Sequence, residues 1–100
     1  MDITVQELKQ KLDAGDDFLF IDVREAHEFE EFNLGAQLIP LGTVMDHIPN
    51  LEAHKNKEVV IHCRSGGRSG MAQQLMQQAG FSNVRNLTGG VLAWQEAFPK

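Results

Sequence analysis

Apolar runs alternate with polar breaks along the chain, and the pattern predicts its elements in order. Thr4 and Glu7 stand at capping-box spacing, and Val5, Leu8 and Leu12 recur on one helical face until Gly15-Asp16-Asp17 interrupts them. A helix is therefore expected first. Phe18-Leu-Phe-Ile-Asp-Val23 follows as a nearly unbroken apolar run rich in aromatic and β-branched residues, and Glu58-Val-Val-Ile-His62 is a second, shorter one. Strands without polar alternation are buried on both faces, the habit of parallel sheets covered by helices on each side. Glu25 to Glu31 reads as a short acidic helix, Gln37-Leu-Ile39 as a brief strand, and Thr43 to about Leu51 as a loose helix ended by Pro49. Beyond Cys63 a longer helix is expected, with Met71, Ala72, Leu75, Met76 and Ala79 on one side and Gly80 as its stop. Asn83-Val-Arg85 reads as the last short strand, and Val91 to Phe98 as a closing helix that Gly89-Gly90 leads into and Pro99 ends.

At 100 residues, 42% of them hydrophobic, the sequence reads as one domain over residues 1–100 that needs neither disulfide nor structural metal. The clearest apolar stretch, Phe18 to Ile21, is too short to cross a bilayer, and Met1-Asp2-Ile3 lacks the basic start of a secretory signal, so a cytoplasmic protein without a membrane partner is expected. A net charge of -5 speaks against nonspecific nucleic-acid binding. Its distribution says more. Residues 1–58 hold 13 acidic and 5 basic groups, whereas residues 59–100 hold only Glu96 against Arg64, Arg68, Arg85 and Lys100, so an anionic ligand should prefer the second half. The single cysteine excludes an internal disulfide, a Cys-x-x-Cys pair and a cysteine-rich zinc site. His47 and His54 are separated by Pro49 and lack metal-binding spacing, so no metal and no cofactor is expected.

The chemistry concentrates at Val59-Val-Ile-His-Cys63-Arg64-Ser65-Gly66-Gly67-Arg68-Ser69, where the only thiol ends a buried strand six residues before a helix is expected to begin. Ligands of open α/β sheets gather at the carboxyl ends of strands, where a helix N-terminus presents free N–H groups and a partial positive charge. Gly66 and Gly67 can take backbone angles closed to other residues and turn successive N–H groups inward as an anion nest. A free cysteine with a pKa near 8.5 is only ~3% thiolate at pH 7, so such a loop should activate Cys63. An inert core cysteine is the alternative, but flanking arginines and a Gly-Gly pair make a poor apolar site.

Cys63-Arg-Ser-Gly-Gly-Arg68-Ser69 resembles the active-site loop of the rhodanese family, whose members carry a sulfane sulfur on this cysteine as a persulfide. Ile21-Asp22-Val23-Arg24-Glu25 is similar to the family's first signature and Asn86-Leu-Thr-Gly89-Gly90-Val-Leu-Ala-Trp94 to its closing one, so the resemblance runs from about Ile3 to Trp94. One stretch departs: Phe32-Asn33-Leu34-Gly35-Ala36 stands where the family often has His-Ile-Pro-Gly-Ala. The resemblance implies an α/β fold, a five-stranded parallel sheet with helices on both faces. It also implies a thiosulfate sulfurtransferase in which Cys63 is the nucleophile and the amides of Arg64, Ser65, Gly66, Gly67, Arg68 and Ser69 hold the persulfide. The donor would be thiosulfate or a similar small anion, and the acceptor a thiol, cyanide or a sulfur-carrier protein.

Arg64 is expected to point outward toward substrate, while Arg68 is as well suited to bracing the loop. The hydroxyls of Ser65 and Ser69 could assist the persulfide, although Ser69 is better placed to cap the following helix. Asp22 and Arg24 lie on the same sheet edge as Cys63 and read first as an ion-paired brace. His62 should point to the opposite face from Cys63 and make a poor base for it, and Trp94 reads as core. A regulatory or relay module acting on a partner protein is a second reading, which resemblance to the rhodanese tails of sulfur-carrier-activating enzymes also implies. A cysteine phosphatase or arsenate reductase is a third, disfavoured because the Cys63-x4-Arg68 loop is one residue shorter than the Cys-x5-Arg loop of phosphatases on this scaffold.

Overall fold

The structure, a computed structural model, describes residues 1–99; Lys100, counted above in the domain and in the basic half, lies outside the described residues. The elements run α1 (Val5–Ala14), β1 (Leu19–Asp22), α2 (Ala26–Glu31), β2 (Gln37–Leu38), α3 (Val44–His47), β3 (Val59–His62), α4 (Gly67–Gln78), β4 (Val84–Asn86) and α5 (Gly90–Ala97). Short 3-10 turns at Leu41–Thr43 and Ile48–His54 flank α3. The sheet has the order β2-β1-β3-β4 and every pairing is parallel, with Ile21 opposite Ile61 and Ile61 opposite Asn86. It therefore contains four strands, not five. In place of a fifth strand there is a single parallel bridge from Ile3 to Leu87, because Thr4 caps α1 at once and the chain turns into a helix.

Both faces of the sheet are covered. Val59 and Ile61 point toward Val44, Leu51, Ala72 and Met76, while Val60 points the other way, toward Val5, Leu8 and Leu87, with Ala93 and Trp94 packed around them. That alternation follows from the two-residue period of a strand, and it explains why β3 is apolar at every position. Four local expectations change. Pro49 sits in the first turn of a 3-10 segment, where its missing N–H costs nothing, and does not end a helix. Met71 is 60% exposed and Leu75 half-buried, since α4 buries Ser69, Ala72 and Met76 instead. Leu12 lies at the exposed end of α1. The helix after Cys63 begins at Gly67, two residues earlier than expected. No described helix is long and apolar enough to cross a membrane.

The carboxyl edge of the sheet is held by α5. Val91 N donates to the Cys63 carbonyl and Leu92 N to the Arg64 carbonyl, each at 3.0 Å. This close approach needs a glycine: a Cβ at Gly90, whose φ is +57°, would lie 2.7 Å from the carbonyl carbon and oxygen of Arg64 and closer still to the Cys63 oxygen. Gly90→Ala should therefore lower the unfolding free energy by about 2 kcal/mol or more, read from urea midpoints, by combining backbone strain with displacement of the loop.

Candidate active site

The Cys63 loop is built by peptide orientation. All peptides among the described residues are trans, so a carbonyl turned toward α5 sends the next N–H the opposite way. With the Arg64 carbonyl held by Leu92, the Ser65 amide faces the sulfur. Gly66 then turns at φ +116°, a left-handed conformation that a side chain would strain, and its N–H donates to Cys63 Sγ at 3.1 Å. One helical turn later Ser69 N donates to Sγ at 3.4 Å from the free N-terminal end of α4. The Ser69 hydroxyl lies 3.3 Å from the same sulfur. Gly67 contributes no special angle and is an ordinary first-turn residue with open space at its Cβ position. The amides of Arg64, Gly67 and Arg68 make no hydrogen bond to Sγ among the described residues, so the nest is narrower than the six amides expected.

Burial pushes the Cys63 thiol up, but the Ser69 hydroxyl and the amides of Ser69, Gly66 and Ser65 outweigh it, and the pKa falls below the ordinary cysteine value. Cys63 is only 1% exposed and packs against the core on the α4 face. A cavity of about 150 Å³ opens beside the loop, bordered by Arg24, Glu28, Phe32, Arg64 and Gln95; Cys63 itself does not line it.

The remaining expected residues separate into a free cation and two braces. Arg64 is exposed, faces that cavity and enters none of the ion pairs among the described residues. Arg68 is a brace: its guanidinium forks onto Glu28 of α2 at 2.7 and 2.9 Å. That pair, with burial opposing it, holds the Glu28 carboxyl down to about 2. Asp22 and Arg24 form a second, buried fork at 2.8–3.1 Å, from which Arg24 also donates to the Phe32 carbonyl. Neither is hydrogen-bonded to Cys63. Ser65 is exposed and its hydroxyl makes no described contact with the sulfur. Ser69 does not cap α4; Gly66 occupies the N-cap position, and Ser69 is buried within the first turn. His62 stacks on Phe20 across the other face, and burial keeps its imidazole below the usual range.

Sequence reasoning missed Asn86 and Glu28. Asn86 ends β4 and reaches over the loop: Nδ2 donates to the Gly66 carbonyl at 3.1 Å, and Oδ1 accepts from the Ser69 hydroxyl at 2.6 Å. Its place at the carboxyl end of a strand beside the Cys63 strand was the available signal. Glu28 lies 40 residues from Arg68, and nothing local announces the pairing.

The rhodanese-like domain family model matches residues 4–97, and the chain belongs to that family. The chain is 36% identical over 98 residues to the "Adenylyltransferase and sulfurtransferase MOCS3-2" of Zea mays, a match covering 92% of this chain but 20% of the maize protein. It is also 36% identical over 99 residues to a sulfurtransferase of Allochromatium vinosum, covering 93% of this chain and 86% of that one. Among solved structures, a rhodanese-like domain protein from Staphylococcus aureus superposes with a TM-score of 0.80 at 34% identity, over 94% of this chain and 91% of that chain.

Two outcomes follow from the geometry. Iodoacetamide alkylation of Cys63 should titrate with a midpoint below that of a free cysteine, and Ser69→Ala should move it up, slowing alkylation near neutral pH roughly tenfold if a charge-assisted hydrogen bond is worth about 1.5 kcal/mol. A depressed carboxylate stabilises the fold above its unfolded pKa and loses that contribution as pH falls. The stability difference between wild type and Glu28→Gln should thus be full above about 4.5 and vanish as pH falls through about 2, followed by urea unfolding at each pH.

Proposed function

We propose that this rhodanese-like domain is a sulfurtransferase in which Cys63 accepts a sulfane sulfur from a small anionic donor such as thiosulfate and passes it to a thiophilic acceptor. The observation that supports this most is the convergence of Gly66 N, Ser69 N and the Ser69 hydroxyl on Cys63 Sγ, within 3.1–3.4 Å. In the first step the thiolate attacks the outer sulfur of thiosulfate, a Cys63 S–S bond forms, and sulfite leaves with the electron pair of the broken S–S bond. In the second the acceptor attacks the terminal sulfur, and Cys63 departs again as thiolate. Two displacements with good sulfur leaving groups replace one difficult transfer. Donors that already point at Sγ need no reorganisation to stabilise the attacking thiolate.

Arg64 is the cation left to attract the donor, because the other two near the cavity are already neutralised by Asp22 and Glu28. A donor meets a nearly covered thiol. Attack therefore needs a slender reagent or a small outward motion of Ser65 to Gly67, residues that are exposed or half-buried. The same geometry weighs against a phosphatase, whose loop arginine must be free to grip phosphoryl oxygens; here both terminal nitrogens of Arg68 are engaged by Glu28.

A sulfur-carrier protein as partner is favoured by one specific finding: a Bacillus subtilis relative, 37% identical over 94 residues covering 93% of this chain and 50% of that protein, is named "Putative sulfur carrier protein YrkF". Preferential formation of a thiocarboxylate at a carrier's adenylylated C-terminus, where the persulfide displaces the adenylate and an external thiol then reduces the acyl disulfide to release the product, over transfer to cyanide separates this relay role from a free-standing enzyme.

Intact mass spectrometry tests the first half-reaction. After incubation with thiosulfate, wild type should gain the mass of one sulfur and lose it again to cyanide, whereas Cys63→Ser should gain none; an unchanged wild-type mass would overturn the assignment.

A further inference from the structure

The Ser69 hydroxyl has one proton and three acceptors within reach. Asn86 Oδ1 is at 2.6 Å, the Gly66 carbonyl at 3.2 Å and Cys63 Sγ at 3.3 Å. A neutral thiol is a weak acceptor, so the short contact wins and the hydroxyl points at Asn86 while Cys63 is protonated. A thiolate is an anion, and hydrogen bonds to ionised acceptors are roughly twice as strong as neutral ones. Ionisation of the sulfur therefore reverses the competition.

The carboxamide cannot escape by turning over. The Gly66 carbonyl can only accept, and it lies 3.1 Å from Asn86 Nδ2, so a flipped amide would set oxygen against oxygen. Asn86 is fixed on its other side as well, where its backbone N–H donates to Asp2 Oδ1. Oδ1 is thus held at hydrogen-bonding distance from Ser69 in every charge state of Cys63.

We propose that Asn86 is a positioning residue that holds the Ser69 hydroxyl proton while Cys63 is a neutral thiol and releases it to Sγ when the sulfur becomes an anion. The movement is a rotation of the hydroxyl about its Cβ–Oγ bond, with no proton exchanged between residues; the thiol's own proton leaves to the medium. Each ionisation then includes the breaking of the Ser69–Asn86 hydrogen bond, which sets a ceiling on how far the loop lowers the thiol pKa. The inference rests on reading Cys63 as a nucleophile that works as an anion, and it names the residue that tunes that anion.

The sign of one mutant separates this role from a merely structural one. Removing the competing acceptor in Asn86→Ala should shift the Cys63 alkylation midpoint to lower pH, whereas a loop that simply loosened would lose amide contacts and shift it to higher pH. In the Ser69→Ala background the Asn86→Ala effect should disappear, because no hydroxyl remains to be competed for. A rise, an unchanged midpoint, or an effect that survives in the double mutant would overturn the proposal. A measurement on the unmutated protein stands if Asn86→Ala fails to fold: with 13C-labelled asparagine, the Asn86 side-chain carbonyl resonance should move at the same midpoint as Cys63 titrates, and stay still in Ser69→Ala. An Asn86 resonance indifferent to Cys63 would sink the inference even if sulfur loads normally. Failure to load sulfur with this response intact would sink only the sulfurtransferase reading.

Discussion

The docking of α5 on the end of β3 anchors this site. Val91 and Leu92 take the carbonyls of Cys63 and Arg64, and the planar trans peptide after Arg64 turns the Ser65 N–H toward the sulfur. The anion nest is completed by the left-handed turn at Gly66 and the first turn of α4, which bring the Gly66 and Ser69 N–H groups onto Sγ. It needs no charged residue of its own, which is why the two nearby arginines can be occupied elsewhere without dismantling it. The requirement for glycine at position 90 comes from the same contact, since the peptide and the helix meet at a distance that admits no side chain.

Much of this architecture was legible in the residue pattern, and the failures have physical causes. The buried runs at Phe18 to Val23 and Val59 to His62 announced central parallel strands because alternation vanishes when both faces are covered. The expected fifth strand was not written in the pattern; it came from family resemblance, and the Ile3–Leu87 bridge is all that remains of it. Cys63 and Gly66 could be read from the loop because the chemistry of a thiol and a positive φ are local properties. Glu28 could not, since an ion pair across 40 residues leaves no periodic trace, and Asn86 could be suspected only from its strand end, since a hydrogen bond across 17 residues leaves none either. Ser69 was misjudged for a related reason: the helix starts earlier than its polar residues suggest, and the serine falls inside the first turn.

The charge asymmetry between the halves also takes on a different meaning in the fold. Glu28 meets Arg68, and Arg85 meets both Glu7 and Glu58, so acidic groups of the first half are matched by basic groups of the second. Arg85 and Arg68 serve as ties across the sequence midpoint, and Arg64 is the basic side chain near the loop without such a duty. The Arg68–Glu28 and Arg85–Glu58 pairs are half-buried, and the Arg85–Glu7 pair has an exposed carboxylate. Their effect is to fix which helix lies against which loop, as Arg68 does by holding α2 over the edge where Cys63 ends its strand.

Ile3 donates its N–H to the Asn86 carbonyl and accepts from Thr88, and Asp2 takes the Asn86 amide, so the leading residues are stitched beside the strand whose last side chain overhangs the sulfur. Any polypeptide fused upstream would therefore exert its pull on that strand. Attachment through a slack tether would leave the loop undisturbed, while a rigid, closely abutting neighbour would transmit mechanical load to it. Fusion geometry thereby becomes a means of tuning thiol reactivity without altering a single residue of the pocket.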